Sequence, residues 1–497
     1  RAGRRSDTLK LINPNLLKLD MVFERLKLLS TEGEIITGSK EEGKIIDKIK
    51  AFFHEVSDEV RVTPIMVMNW KQRDLILECS GRKIDASLFP YSPSVDLETE
   101  VSESYELCNN KMLKVKINNL FEVNKYYEEA IEKGCNSVVF SLDDEIRRFV
   151  IKNGNLLSTK PSPPPYIPAI YVKLSDFQLV KGKCRLLADS EFNQSTGYIV
   201  EGIKNAKYNE EIHVTAHHDH WLAGERDNLL AVSILPELTS DLYETHLISF
   251  TAEESGSLSF SPFSWSYGSR KFLQGIRTDN VLLNINMDNL AEDSLTVKLT
   301  PGLRGLIENE VNVLEIPEIY TDSYSYVKSG IPSVNIGSYS MLHYHGEFDV
   351  VNPGDPKLNQ NIELTKRLIL KVINSKIEYN FNEMVNYLDD VMKSLPLPLR
   401  SYLVNVEEKI RERNERTYRN LLRFYGGILY DDFADVKLFH KIFGSIEARK
   451  RNKVCIEDYG CIKKERNDEI YNKQYEYFIN TLIHEINNEY IEQIYLI

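Results

Sequence analysis

Histidine is concentrated in two short windows of this chain. Six of its ten histidines lie within residues 213–220 and 343–345. Between the windows, acidic residues such as Asp227, Glu253 and Asp288 follow or adjoin short apolar runs. Imidazole and carboxylate groups that meet at strand ends are how proteins hold catalytic zinc or a related divalent metal. The sequence therefore predicts a fold in which the two histidine windows and the acidic residues between them lie close together.

Length and charge limit the class of protein. The 497 residues predict two or three domains. The formal net charge of −13 argues against nucleic acid as a partner, because nucleic acid selects basic surfaces. The sequence lacks an apolar run of about 18 residues, so no membrane span is predicted. Its first residues lack the apolar stretch of a signal peptide, which favours a cytoplasmic location.

The cysteines give no metal motif. No two of the six are spaced as C-x-x-C, which argues against a structural zinc knuckle. Four of them fall within residues 71–192, where one disulfide is an alternative. Reduced, partly buried thiols are the expected state.

Hydrophobic periodicity predicts both helices and strands along the chain. Helices are expected over residues 15–29, 123–132, 228–242 and 362–379, with one more capped by Ser39. Strands are expected over residues 61–70, 113–117, 137–141, 211–216, 246–252 and 281–287. The proline-rich run 161–168 is expected to be a stiff surface connection. Alternation of strands and helices over residues 197–355 predicts an α/β sheet, whose ligands bind at the carboxyl ends of strands.

The first two candidate metal ligands lie close together in the sequence. His217 is expected at the carboxyl end of a strand, with Asp219 accepting a hydrogen bond from its other ring nitrogen. Asp227 precedes a helix, where a carboxylate is either an N-cap or, after His217, a ligand able to bridge two metal ions.

Two adjacent glutamates suggest a division of roles. Glu253 and Glu254 follow a strand and face different directions, so one could bind metal while the other takes a proton from water. The alternative is a solvated acidic turn.

The remaining candidates follow the same logic. Asp288 directly follows an apolar strand, and His345 has Asp349 four residues later as an orienting carboxylate. His218 and His343 are rival ligands, ranked below the others as lining or core histidines.

Taken in order, these residues resemble the M28 family of dinuclear zinc aminopeptidases. The matching segments are Ala216-His217-His218-Asp219, Gly224-x-x-Asp227-Asn228, Glu253-Glu254-x-Gly256, Asn286-x-Asp288 and His345-x-x-x-Asp349. The resemblance covers roughly residues 15–60 and 195–380. Residues 71–190 also look like a protease-associated domain, and the C-terminal part resembles the helical domain of transferrin receptor and glutamate carboxypeptidase relatives.

The resemblance implies an α/β fold, a three-layer α/β/α mixed-sheet zinc-exopeptidase domain with an inserted β-rich domain and a C-terminal all-α domain. The expected divisions are 1–70, the N-terminal part of the peptidase domain; 71–192, the protease-associated insertion; 193–380, the metal-binding peptidase domain; and 381–497, the helical domain.

The resemblance also implies a cofactor and roles for residues. Two zinc ions are expected, with cobalt or manganese as substitutes. One ion would be held by His217 and Asp288, the other by Glu254 and His345, with Asp227 between them. The catalytic residues would be Glu253, as general base, and Asp219, which would orient His217.

The sequence departs from the family pattern after two of its motifs. Leu229-Leu230-Ala231 replaces the small residues that follow the bridging Asp-Asn, and the Gly-Ser pair arrives late, at residues 268–269. The stretch between is aromatic; Phe263 and Trp265 are candidates for a side-chain pocket, and packing on the insertion or on a partner subunit is the alternative. Tyr339 and Tyr344 are candidate oxyanion donors because they lie near His345 in sequence.

Three function classes remain open at this stage. An aminopeptidase acting on peptides and forming a homodimer is the first. A carboxypeptidase or small-molecule amidohydrolase would need a basic clamp such as Arg226, Arg270 or Lys271. A receptor-like binding protein is disfavoured by Glu253, because a structural metal site needs no base. A mononuclear zinc deacetylase would leave a ligand pair unexplained.

Overall fold

The computed structural model describes residues 14–153, 161–261, 263–307, 311–314, 318, 320–393, 404, 407–425, 453–456 and 460–463. The described α-helices are α1 Pro14–Ser30, α2 Lys40–His54, α3 Val123–Glu132, α4 Leu174–Phe177, α5 Leu230–Ile234, α6 Tyr267–Gln274, α7 Ser323–Lys328, α8 Pro356–Ile373, α9 Phe381–Lys393 and α10 Glu415–Tyr425. The strands are β1 Glu59–Cys79, β2 Arg82–Ile84, β3 Ala86–Leu88, β4 Val95–Ser102, β5 Met112–Lys116, β6 Ser137–Ser141, β7 Ala169–Val172, β8 Lys183–Lys204, β9 Tyr208–His217, β10 Tyr243–Phe250, β11 Val281–Met287, β12 Thr296–Leu299, β13 Asn312–Leu314, β14 Ser333–Gly337, β15 Lys453–Ile456 and β16 Gly460–Lys463. Short helical turns lie at Tyr105–Leu107, Leu120–Glu122, Glu225–Leu229, Leu235–Glu237, Thr278–Asn280 and Arg304–Leu306.

One mixed sheet runs through most of the described chain. Its order is β13-β12-β14-β11-β9-β10-β8-β4-β5-β6-β7-β3, with β1 paired to β8 and β2. Strands β14, β11, β9 and β10 are parallel, so their carboxyl ends meet at one edge. Their outer neighbours β12 and β8 run antiparallel to them.

A long two-stranded ribbon joins the two halves of this sheet. Strand β1 pairs with β8 from Glu59 opposite Ile203 to Cys79 opposite Cys184, with one irregularity near Gln72. The carboxyl end of β8 pairs with β10, whereas its amino end pairs with β4. The ends predicted for the insertion lie within the ribbon, where residue 71 faces residue 191. The protease-associated character of this region stays a prediction.

The parallel part of the sheet is covered on both faces. Helices α1, α2, α5 and α8 share one apolar core with the strands, and α6 and α7 share another. Along β9, Ile212, Val214 and Ala216 enter the first core. A strand alternates its faces, so His213, Thr215 and His217 point to the opposite side. This three-layer α/β/α arrangement agrees with the expected fold class.

Local signals predicted several elements closely. Helix α3 has its predicted bounds. Gly134, which follows the helix, has a positive φ of 73°, a conformation that suits a glycine just beyond a helix end. Helix α2 begins after Ser39, whose hydroxyl accepts a hydrogen bond from the Glu42 amide. These are short-range devices that the sequence displays directly.

Two predicted helices have the wrong bounds. Residues 228–242 form a helical turn, α5 and a second short turn that ends at Glu237, because Pro236 cannot donate the hydrogen bond that continues an α-helix. The helix expected over residues 362–379 is α8, which begins after the Asp355 N-cap and ends at Ile373.

The C-terminal part is not wholly helical where it is described. Helices α9 and α10 agree with the prediction, but β15 and β16 form an antiparallel pair. The β-branched residues Val454, Ile456 and Ile462 favour strands. Much of the helical domain expected over 381–497 lies outside the described residues. Among the helices described, none is long and apolar enough to cross a membrane.

The expectation of reduced thiols is wrong for four cysteines. Cys79 is bonded to Cys184 across the ribbon, and Cys108 to Cys135. The register of strands β1 and β8 makes Cys79 and Cys184 direct partners on antiparallel strands. The two cysteines are 105 residues apart in the sequence, so no local pattern predicts this pairing.

Replacing both Cys79 and Cys184 by alanine should lower the free energy of unfolding by about 2–4 kcal/mol, because the disulfide restricts a long loop in the unfolded chain. Urea unfolding followed by circular dichroism would measure it. The matched change at Cys108 and Cys135, which lie 27 residues apart, should cost less. The expectation would be contradicted if removal of the Cys79–Cys184 disulfide lowered the free energy of unfolding by no more than removal of the Cys108–Cys135 disulfide.

Candidate metal centre

The sheet edge brings the predicted ligands together. His217 ends β9, Glu254 lies in the loop after β10, and Asp288 directly follows β11. Asp227 comes from the turn after β9, and His345 from the loop after β14. All five side chains are at least nine-tenths buried. We refer to these five residues as the metal centre.

The metal centre consists of two groups that share one carboxylate. His217 Nε2 lies 3.3 Å from Asp227 Oδ1 and 3.5 Å from Asp288 Oδ2. His345 Nε2 lies 3.6 Å from Asp227 Oδ2 and 3.1 Å from Glu254 Oε2. The two oxygens of Asp227 therefore face two different histidines.

The donor atoms fit divalent cations. Ligands about 2.0–2.2 Å from a tetrahedral zinc ion lie about 3.3–3.6 Å from one another, close to the separations within both groups. Three buried atoms here, Glu254 Oε1, Asp288 Oδ2 and His345 Nε2, make no hydrogen bond. Imidazole and carboxylate donors are those that zinc prefers.

Backbone carbonyls orient both histidines. His217 Nδ1 lies 2.9 Å from the carbonyl oxygen of Asp219, and His345 Nδ1 lies 3.2 Å from that of Arg148. A proton on Nδ1 satisfies each carbonyl and leaves the Nε2 lone pair facing the metal centre.

The carboxylates expected to do this hold backbone amides instead. Asp219 accepts hydrogen bonds from the amides of Glu253 and Glu254, both at 3.0 Å, and its nearer oxygen is 3.9 Å from the His217 ring. Asp349 accepts from the Asp227 amide at 3.2 Å. The side chains of Asp219 and Asp349 therefore accept hydrogen bonds from backbone amides, and their predicted role in orienting the histidine rings stays a prediction. They act on the adjacent backbone.

A segment far away in sequence holds the loop that carries His345. Glu145 accepts from the Phe348 amide at 2.8 Å and contacts His343 Nδ1 at 2.8 Å. The Arg147 guanidinium donates to the Tyr344 carbonyl at 2.6 Å. The region between β6 and β7 thus completes the metal centre from about 200 residues away. The sequence shows no signal for this.

Strained backbone surrounds the metal centre. Ala252, Asn289, Tyr339, His343 and His345 have positive φ values between 49° and 61°. Non-glycine residues in this region each cost of the order of 1 kcal/mol or more, and such residues cluster at functional sites.

Carboxylates crowd the metal centre. Burial raises the pKa of Glu253 and Glu254 well above the ordinary range, and Asp288 adds to the effect on both. Burial also raises the pKa of Asp288, to about 6. Burial lowers the pKa of His217, but Glu253 and the other carboxylates outweigh it and raise that pKa well above its usual value.

The rival histidines lie outside the metal centre. His218 is buried, with Nδ1 2.8 Å from Ser249 Oγ. His343 contacts Glu145 instead. Trp221, which the sequence did not single out, donates from Nε1 to Glu254 Oε2 at 3.1 Å and fixes that carboxylate.

A buried polar layer extends away from the metal centre. Thr215 donates to Asn286 at 2.6 Å, Asn286 to Asn335 at 2.7 Å, and Asn335 to the Tyr339 hydroxyl at 2.5 Å. This places the Tyr339 hydroxyl at the end of a buried hydrogen-bond network, and its role as an oxyanion donor stays a prediction.

A small cavity of about 60 Å³ adjoins the metal centre. Its lining residues are Phe121, Phe149, Val150, Lys152, Trp221, Glu253, Glu254, Ser264, Trp265, Tyr320, Tyr344 and His345. Of the candidate substrate contacts, Trp265 and Tyr344 line it. Phe263 does not line it; it packs behind Trp265, with ring centroids 4.2 Å apart.

The aromatic stretch has more than one role. Phe260 packs on Tyr91 and Phe192 of the ribbon region, whereas Trp265 lines the cavity. Gly268, the second residue of α6, lies so close to Thr251 that a Cβ atom would be 1.8 Å from the Thr251 carbonyl oxygen, which explains the glycine at this position.

The predicted basic clamps do not line this cavity. Arg226 is buried in ion pairs with Glu292 and Asp349. The Arg270 guanidinium donates to the carbonyls of Phe263 and Trp265, and Lys271 is exposed on α6.

Residues 199–370 match the family described as Peptidase family M28. The match is confined to this part of the chain, and all five residues of the metal centre lie within the matched range. None of the curated proteins compared with the chain matches it.

Several solved structures share the fold. The peptidase M28 precursor from Shewanella amazonensis SB2B has a TM-score of 0.62 at 14% identity, covering 74% of this chain and 97% of that one. A zinc aminopeptidase from Bacillus subtilis has a TM-score of 0.55 at 18% identity, covering 73% and 96%. An aminopeptidase from Aneurinibacillus sp. strain AM-1 has 0.52 at 16% identity, covering 73% and 97%. At such identities the likeness shows the mixed α/β fold alone.

Zinc binding should release protons and tighten as pH rises. Carboxyl groups with raised pKa values carry protons near pH 6, and a divalent ion displaces them. Calorimetric titration of zinc into the metal-free protein, in two buffers of different ionisation enthalpy at pH 6 and pH 8, would measure the release. Greater release is expected at pH 6. Tighter binding at pH 6 than at pH 8 would contradict the assignment.

Proposed function

We propose that this protein is a metal-dependent exopeptidase, an aminopeptidase that removes N-terminal residues from peptides. The observation that carries the proposal is the shared Asp227 carboxylate, whose two oxygens face His217 and His345 in separate groups. A third carboxylate, Glu253, lies beside both groups and belongs to neither. Two metal ions with one adjacent base suit hydrolysis of a peptide bond.

The residues of the metal centre divide into two ligand sets. His217 and Asp288 would hold one zinc ion, and Glu254 and His345 the other, with Asp227 shared. When bound, these ions lower the pKa of a water molecule and polarise the scissile carbonyl. Cobalt or manganese would be substitutes.

Glu253 is suited to moving the proton. One of its oxygens accepts a hydrogen bond from Ser266 Oγ at 3.2 Å, and the other lies 4.0 Å from His217 Nε2. Asp219 holds the Glu253 amide, which fixes the backbone that carries the base. A carboxylate held in this way has one oxygen left to face water.

Glu253 then serves as base and acid in turn. It accepts a proton from water as the water oxygen bonds to the carbonyl carbon. As the carbon–nitrogen bond breaks, it returns the proton to the leaving nitrogen.

Tyr344 is the better placed of the two tyrosines to stabilise the oxyanion. Burial raises its pKa well above the ordinary range, and Glu254 and Asp227 act in the same direction, so its hydroxyl keeps its proton. Its ring stacks on His345 with centroids 3.8 Å apart, which holds it at the cavity.

Replacing Glu253 by glutamine should lower kcat by about 10²–10⁴-fold, because the amide cannot accept the proton. Hydrolysis of aminoacyl-p-nitroanilides with a free amine would be measured on the zinc-loaded protein, and metal content by elemental analysis. The metal content should not change, since Glu253 is outside both ligand sets.

Two controls make this result specific. The exposed Glu98 allows a matched glutamate-to-glutamine change that should leave kcat unaltered. N-acetylated versions of the same substrates should not be cleaved, and their cleavage would favour an amidohydrolase. Full activity of the Glu253→Gln protein would refute the role of the base.

Localisation and assembly stay predictions. Two disulfides are typical of proteins from oxidising compartments, which favours export over the cytoplasmic location expected from the sequence. The homodimer is a further proposal, which analytical ultracentrifugation would test.

A further inference from the structure

A buried lysine lines the same cavity as the catalytic glutamate. Lys152 lies in the segment between β6 and β7 and is 7% exposed. Its Nζ atom lies 4.5 Å from the centre of the Trp265 ring and 3.4 Å from Ser264 Oγ. Lysine is almost never buried to this extent unless it is paired with an opposite charge.

The protein supplies no such charge within the described residues. Lys152 forms no ion pair with any of them, whereas Arg147, five residues earlier, forms ion pairs with both Asp143 and Glu145. Burial lowers the pKa of Lys152 to about 7, and the Arg270 guanidinium acts in the same direction. A carboxylate that reached Nζ would hold the lysine in its charged form.

The surroundings hold this side chain in place. Trp265, over which the ammonium lies, packs against Phe263 and Tyr320, with ring centroids 4.2 Å and 5.6 Å away. Glu253, Glu254 and His345 line the same cavity. A ligand that reaches Lys152 is therefore within the cavity where peptide cleavage is proposed.

We propose that Lys152 forms a carboxylate-binding subsite that selects peptides with an anionic group close to the scissile bond. This inference rests on the proposed peptidase function and names its substrate class. The attraction is a charge-assisted hydrogen bond in a water-poor cavity, which is stronger than one in water. The aromatic walls bind the aliphatic part of the same residue.

Two parts of a peptide carry the required carboxylate. One is an aspartate or glutamate side chain, and the other is the C-terminal carboxylate of a dipeptide. The two sources need separate substrate pairs.

The first test compares substrates that differ only in this charge. The kcat/KM ratio of glutamyl- to glutaminyl-p-nitroanilide reports on the side chain, and that of Ala-Ala to Ala-Ala-amide on the C-terminus. In Lys152→Met, which keeps the stem over Trp265, one of the two ratios should fall about tenfold or more. Lys152→Arg should recover part of it, and the exposed Lys271→Met should leave both ratios unchanged.

A second test measures binding without turnover. L-glutamate and its neutral isostere L-glutamine are titrated calorimetrically into the zinc-loaded Glu253→Gln protein, with and without Lys152→Met. Preference for glutamate should be present with Lys152 and fall about tenfold or more without it. This test works even if no peptide is cleaved, so failure of the peptidase proposal and failure of the subsite give different results.

The outcomes are distinct. A change in either ratio, or in glutamate preference, that appears in Lys152→Met and not in Lys271→Met supports the subsite. The proposal is overturned if both kcat/KM ratios and the preference for L-glutamate over L-glutamine are the same in the wild type and in Lys152→Met. If circular dichroism shows that Lys152→Met does not fold, Lys152→Gln replaces it with the same expected results. The ratios of Lys152→Arg are then compared with those of the wild type, because the arginine keeps the positive charge.

Discussion

Five carboxylates packed around two imidazoles are the constraint on which the rest of this structure depends. Asp219, Asp227, Glu253, Glu254 and Asp288 are all buried at the carboxyl ends of parallel strands. Burying a charge costs several kcal/mol unless hydrogen bonds or opposite charges compensate it. Backbone amides satisfy Asp219, whereas one oxygen of Glu254 (Oε1) and one of Asp288 (Oδ2) make no hydrogen bond. In the proposed function, bound divalent cations would compensate the charges of these buried carboxylates.

The ribbon of β1 and β8 links this constraint to the region that would select substrates. It carries the sheet from the metal centre into the part of the chain that contains Arg148 and Lys152. The Arg148 carbonyl orients His345, and the Lys152 ammonium lines the adjoining cavity. The proposed metal ligand His345 and the proposed substrate contact Lys152 thus depend on the same segment. Changes in that segment would affect both metal binding and specificity.

The sequence predicted what short-range patterns can display. Strand ends followed by His217, Glu253 and Asp288 were visible as residue order, and the parallel sheet brings them together as expected. The contacts of Asp219 with backbone amides were not visible, because a carboxylate two residues from a histidine suggests a ring contact. That ring finds a carbonyl instead, and only the folded loop decides between the two.

Long-range contacts account for the other differences. The pairing of Cys79 with Cys184 follows from strand register, and the support of His345 by Arg148 joins positions 197 residues apart. Neither leaves a local pattern. The same holds for Lys152, which is one lysine among many in the sequence and becomes distinct only when its burial is known.

The central claim is that Asp227 lies between two metal ions. Anomalous diffraction from crystals of the zinc-loaded protein, collected on both sides of the zinc absorption edge, tests this most directly. The account predicts two peaks about 3.5–4 Å apart, one beside His217 and Asp288 and the other beside Glu254 and His345. A single peak, or zinc bound only away from Asp227, would contradict it.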